Sequence, residues 1–194
     1  MATTEQVKEL RKRTGLSIMQ CQNALDEANG DIEKAITILQ KKSGEIASKK
    51  STRTLGSGTI ESYIHNNGTA GAIVELSCET DFVAKNEEFK KIAYEIAMQI
   101  VASDPEFLNA DDVTDEVKKS AEEVFSKETE GKTEDIKKKI MEGKLSSYFE
   151  EKILMEQPYI KDPSLKIKDL ITGATQKFGE RVEIRRFARF STQN

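Results

Sequence analysis

A chain of 194 residues with 30 Lys and Arg against 34 Asp and Glu carries a net charge of -4, and 37% of it is hydrophobic while 33% is charged. That allows a modest core, as one ordinary domain or two small ones, and gives no broad electrostatic reason to bind nucleic acid or acidic lipid. No run is apolar for long enough to span a bilayer. The start Met1-Ala2-Thr3-Thr4-Glu5 lacks a charged-then-apolar leader, and Cys21 and Cys78 lie far apart without CxxC spacing, so a reduced cytoplasmic protein is expected.

The first fifty residues read as three short helices. Thr3 or Thr4 caps the first, which carries Val7 and Leu10, and Gly15 suits a left-handed stop. Ser17 caps a second with Ile18, Cys21, Ala24, Leu25 and Ala28 at helical spacing. Asn29-Gly30 ends it, and Asp31 caps a third with Ile32, Ala35, Ile36 and Leu39. Helices this short cannot bury their stripes alone, so a bundle over 1–50 is expected. From Ser43 to Gly58 periodicity fades into Lys, Ser, Thr and Gly, which reads as a linker centred on 51–58.

From Thr59 the period becomes two. Ile60, Ser62 and Ile64 alternate with Glu61, Tyr63 and His65; Asn66-Asn67-Gly68-Thr69 marks a turn; Ala72, Val74, Leu76 and Cys78 alternate on the return. A third strand is expected at 182–190, since a lone hairpin is marginal in water. Between them lie helices. Phe89, Ile92, Ala93, Ile96, Ala97, Ile100 and Val101 form one apolar stripe, ended by Asp104-Pro105. Val117, Ala121, Val124 and Phe125 mark the next, broken at Gly131. Another starts near Thr133 with Ile136, Ile140, Met141, Leu145, Tyr148 and Phe149 facing inward, and its Lys137-Lys138-Lys139 reads as a solvated face. Gln157 to Ser164, with two prolines, should be an ordered loop; a last helix holds Ile167, Leu170, Ile171, Ala174 and Phe178 and closes at Gly179. Strands and helices that do not alternate argue for an α+β core over 59–194, a three-stranded antiparallel sheet covered by helices.

A chemical site is hard to find. His65 is the single histidine, which excludes a multi-histidine metal centre, and the distant cysteines make zinc ligation a poor reading. Gly56-Ser57-Gly58 is followed by neither GxxxxGK[ST] nor GxGxxG, so it is no phosphate cradle; no cofactor or metal is expected, and no covalent chemistry. One segment resists a bland account. Glu79-Thr80-Asp81-Phe82-Val83-Ala84-Lys85-Asn86 puts a large aromatic at a strand-to-helix turn, which should lie at the surface. Either Phe82 folds back to staple the following helix, with Asp81 or Asn86 as caps, or it is a wedge awaiting a partner's pocket.

Leu10-Arg11-Lys12-Arg13-Thr14-Gly15, continuing through Met19–Leu25 and Ala28–Ala35, resembles the N-terminal signature of the elongation factor Ts family, and Cys78–Lys85 is similar to its core signature. Gln157–Ser164 and Arg185–Phe190 resemble its C-terminal hallmarks. The family's Gly-Ala-Gly-Met-Met-Asp-Cys is replaced here by Gly15-Leu16-Ser17-Ile18-Met19-Gln20-Cys21, and one core unit is present, as in the family's short members. The resemblance implies a guanine-nucleotide exchange factor for elongation factor Tu. Its ubiquitin-associated-like bundle would grip the partner's G domain through Leu10, Arg11, Thr14, Gly15, Ile18 and Met19. The turn Thr80, Asp81, Phe82 and Val83 would push in beside the nucleotide, with Asp81 near the surroundings of the partner's magnesium ion and Phe82 in an apolar crevice. Short chains of this kind would pair as homodimers through the terminal strand, a monomer being the alternative. Two other readings stay open: an adaptor acting through the bundle alone, and RNA binding through Arg181, Arg185, Arg186 and Arg189 with Phe187 and Phe190.

Overall fold

A computed structural model describes residues 2–127 and 134–192. Three helices open the chain: α1 (Thr4–Thr14), α2 (Ile18–Glu27) and α3 (Ile32–Lys50). Each begins where a side-chain oxygen satisfies a free N–H of the first turn. Thr3 accepts from the Gln6 N–H and Ser17 from the Gln20 N–H, each in a reciprocal capping box, and Asp31 accepts from the Lys34 N–H. Gln20 is thus the residue that closes the second box. Gly15 ends α1 in the left-handed region at φ 69°, where a side chain would be strained and would also meet the Lys177 ammonium.

The α3 helix corrects the linker expectation for 43–50. It runs on to Lys50 because Ser43, Ile46, Ala47 and Lys50, buried or partly buried, continue the stripe begun at Ala35 and Leu39. Ser43, which looked like punctuation, is buried; its hydroxyl donates to the Gln40 carbonyl and lies 3.3 Å from the Thr172 hydroxyl.

Strands β1 (Ser57–Ile64), β2 (Ala70–Cys78) and β5 (Glu183–Ser191) form the antiparallel sheet in the order β1-β2-β5, so the α+β class and the third strand hold. Gly58 permits close strand approach: a Cβ there would lie 2.6 Å from the Leu76 carbonyl oxygen. The apolar row of β1 does not face the core. Ile60 and Ile64 are exposed, and the other row is half-buried, with Tyr63 set edge-on to Tyr94 at 5.7 Å. Helix α4 (Asp81–Ala84) is one turn, followed by α5 (Glu87–Ser103), which stops at Asp104 with φ 47° before Pro105. Helices α6 (Asp115–Lys127) and α7 (Glu134–Lys152) come next; the break expected at Gly131 and the start near Thr133 lie outside the described residues. Ile136, expected inward, is exposed, and so is Val124 on α6. The proline-rich stretch expected as a loop contains two short antiparallel strands, β3 (Pro158–Tyr159) and β4 (Asp162–Lys166), with an irregular register, before α8 (Ile167–Phe178) and Gly179 at φ 70°.

The chain divides into two compact units. The first comprises Met1–Glu61, Glu75–Ala93 and Lys168–Arg185. Within it the bundle has its own core of Val7, Leu10, Leu16, Cys21, Ala24, Leu25, Ala28, Ala35 and Leu39. Burying each of Leu10 and Leu25 contributes about 1.5–3 kcal/mol. Elsewhere in this unit Leu76, Val83, Phe89, Ile171 and Ile184 are buried, and Phe89 meets Phe178 edge-on at 5.6 Å. The second unit comprises Ser62–Val74, Tyr94–Ile167 and Arg186–Asn194. Its interior holds Val74, Ile96, Ile100, Leu154 and Ile167, together with a polar knot in which the buried Gln157 carbonyl accepts from Ser103 at 2.6 Å and from Gln99 at 3.2 Å.

Candidate functional site

The turn singled out in the sequence leaves β2 at Cys78 and becomes helical at Asp81. Phe82 is 81% exposed, the most exposed large apolar side chain among the described residues, so it does not staple α5. Asn86 takes the capping role instead, its side chain accepting from the Glu88 N–H at 2.9 Å. Asp81 is exposed and pairs with Lys85 one turn on at 2.6 Å, and that hydrogen bond holds its carboxyl below the usual range. Val83, only 4% exposed, is turned into the core. In the free chain it supports the turn from beneath.

The turn is braced from across the chain. The Glu180 carboxylate accepts from the Glu79 N–H at 3.1 Å, the Thr80 N–H at 3.0 Å and the Thr80 hydroxyl at 2.6 Å. In return the Glu79 carboxylate accepts from the Arg181 N–H at 2.6 Å and from the Arg53 guanidinium at 3.3 Å. The Arg181 N–H, and then the Arg53 charge, lower the Glu79 pKa. Cys78 closes the set: its thiol donates to the Thr80 carbonyl at 3.2 Å, and burial, with the Glu180 charge next, raises its pKa to about 11. The thiol is thus protonated at neutral pH and no nucleophile. Glu180, Arg181 and Arg53 carry no local sequence signal, since they lie far along the chain from the turn they hold.

On the bundle, Ile18 and Met19 project from the first turn of α2, 57% and 72% exposed, and Arg11 is exposed on α1. Leu10 is fully buried in the bundle core. Thr14, half-buried, donates its hydroxyl to the Leu10 carbonyl at 2.8 Å, and Gly15 shapes the turn between α1 and α2. What remains on the surface is an apolar pair, Ile18 and Met19, with a cation nearby in sequence.

The arginine cluster does not form a free basic strip. Arg181 pairs with Glu183, Arg185 with Glu75 at 3.7 Å and Arg189 with Asp104 at 3.0 Å, so these three arginines sit beside carboxylates. Among the described residues no cluster of three or more His, Cys, Asp or Glu side chains is arranged to hold a metal ion, and no helix is long and apolar enough to cross a membrane.

The family model described as Elongation factor TS matches residues 2–194. The chain is similar to the elongation factor Ts of Carboxydothermus hydrogenoformans, at 48% identity over 192 residues that cover 98% of this chain and 88% of that one. The elongation factor Ts of Caldanaerobacter subterraneus subsp. tengcongensis is 47% identical over 192 residues, covering 98% of this chain and 96% of the relative. That of Thermodesulfovibrio yellowstonii is 48% identical over 189 residues, covering 97% and 94%.

Proposed function

The chain belongs to the elongation factor Ts family of translation elongation factors, and we propose that it is the guanine-nucleotide exchange factor of elongation factor Tu, speeding GDP release by inserting Phe82. The observation that carries this reading is the 81% exposure of Phe82 on a turn held by hydrogen bonds on both sides. An exposed phenyl ring on a braced one-turn helix is the kind of aromatic anchor that fills a crevice in a partner. In this reading the bundle grips the G domain through Ile18 and Met19, with Arg11 beside them, while Phe82 parts apolar side chains near the nucleotide. Asp81 brings negative charge toward the partner's magnesium surroundings and weakens the hold on the GDP phosphates. The chain does no covalent chemistry of its own: it binds the nucleotide-free partner better than the GDP-bound one, and GDP weakens its binding by the same factor.

Mixing the chain with elongation factor Tu loaded with fluorescent GDP tests this directly. The signal falls faster as the chain is added and the nucleotide-free complex accumulates; an unchanged release rate at every concentration defeats the proposal.

A second reading, compatible with the first, is homodimerisation through the sheet. Ile64, Ile73 and Phe190 are exposed and line one concavity with Ala70, Gly71 and Ala72, and β5 is an edge of the sheet among the described residues. A twofold pairing buries such a face against itself, and with neither cysteine on this face the contact is non-covalent.

A further inference from the structure

We infer that Glu180 is a positioning residue for exchange: its carboxylate sets the direction in which Phe82 projects, an inference that rests on the wedge reading above. The argument starts from what α4 lacks. It has four residues, too few for a helix to hold itself, and its N-cap residue Thr80 makes no side-chain cap bond into it. The Thr80 hydroxyl is turned to Glu180 instead, at 2.6 Å, and the same carboxylate collects the Glu79 and Thr80 N–H groups at 3.1 and 3.0 Å. One carboxylate thus satisfies three donors that precede α4 and that no helical turn could reach, and charge-assisted bonds of this kind are the stronger class.

The brace runs both ways. Glu79 receives the Arg181 N–H at 2.6 Å, so the two chain segments exchange carboxylates for amides, and buried Val83 pins the far side of the turn. Phe82 itself touches little, being 81% exposed, so its own side chain does nothing to fix where it points. Its direction is inherited from the backbone at 79–83, and that backbone is set by Glu180. A wedge held in its working direction avoids the ordering cost of insertion, which is where preorganisation raises a rate.

The test uses the full chain with Glu180→Ala, Glu180→Gln, Phe82→Ala and the double variant Glu180→Ala/Phe82→Ala. It has two readouts: release of fluorescent GDP from elongation factor Tu at saturating factor, and hydrogen exchange of the Glu79 and Thr80 amides in the free chain. Glu180→Ala slows maximal release roughly five- to tenfold, a loss bounded by that of Phe82→Ala. Glu180→Gln restores most of it, since the amide oxygen takes both N–H groups and the amide nitrogen donates to the Thr80 hydroxyl. The double variant is no slower than Phe82→Ala alone, because a positioning residue has nothing left to position. Exchange at the two amides rises about tenfold or more while the bundle amides keep their protection. Losses that multiply in the double variant, or amide exchange that does not change, overturn the inference. If the wild-type chain fails to speed GDP release, the exchange-factor reading falls, and the Glu79 and Thr80 amides alone decide for or against the clamp. Should Glu180→Ala not fold, Thr80→Val, which removes only the hydroxyl arm, takes its place in the cycle.

Discussion

Phe82→Ala separates folding from function at a single side chain. At 81% exposure the ring has almost no apolar area to lose on truncation, so the thermal midpoint of the free chain stays where it is. Seven residues on, Phe89 is fully buried, and the same truncation there removes a packed ring at a cost of about 3–5 kcal/mol. In the complex the order reverses. Burying a phenyl ring in a partner's crevice contributes about 1.5–3 kcal/mol, and each ~1.4 kcal/mol of barrier is a factor of ten. Phe82→Ala therefore slows GDP release roughly ten- to hundredfold if the whole contact is made at the moment of release. Stopped-flow loss of fluorescent GDP from elongation factor Tu measures this, with a thermal melt of each variant alongside. Full-rate release by a folded Phe82→Ala chain refutes the wedge; a collapsed melt would mean that the ring packs in solution.

Removing residues 1–50, a bundle with its own apolar core, weakens calorimetric binding to elongation factor Tu and leaves a cooperatively folded remainder; undiminished affinity contradicts the grip assigned to Ile18 and Met19. Light scattering at rising concentration gives a mass approaching twice 21.8 kDa; Phe190→Asp returns it to the monomer, and a monomeric mass at every concentration excludes the sheet dimer. Glu79 has a folded pKa below its ordinary 4.5, so its contribution to stability is present above that pH and is lost as pH falls through the lowered value. The melting midpoint accordingly drops on acidification below about 4.5, and Glu79→Gln flattens that drop.

The helices were readable wherever capping chemistry and period agreed. Thr3, Ser17 and Asp31 start the first three, and Asp104-Pro105 stops α5, because these are contests among near neighbours in the chain. The end of α3 is not legible in the sequence for a physical reason: its stripe continues through Ser43, a small polar residue that is buried within hydrogen-bonding distance of Thr172 on a distant helix. The direction of the β1 alternation was likewise open. A period of two shows that Ile60 and Ile64 share a face, but only the pairing with other strands decides whether that face meets helices or solvent.

The site divides along the same line. Phe82 was recognisable because an aromatic at a strand-to-helix turn contradicts the local tendency to bury apolar area, a conflict visible within eight residues. What braces the turn was not, because Glu180 and Arg181 reach it from about a hundred positions away, and a Glu after a helix-ending glycine resembles any solvated residue. The consequence bears on Leu10 and Val83 too. They belong to the recognisable motifs yet point inward, so a motif records every residue the surface depends on, and not only those a partner touches. Variants at Leu10 or Val83 should therefore lose exchange together with stability, whereas Ile18, Met19 and Phe82 should lose exchange alone. That difference in melting behaviour separates the contact surface from its supports.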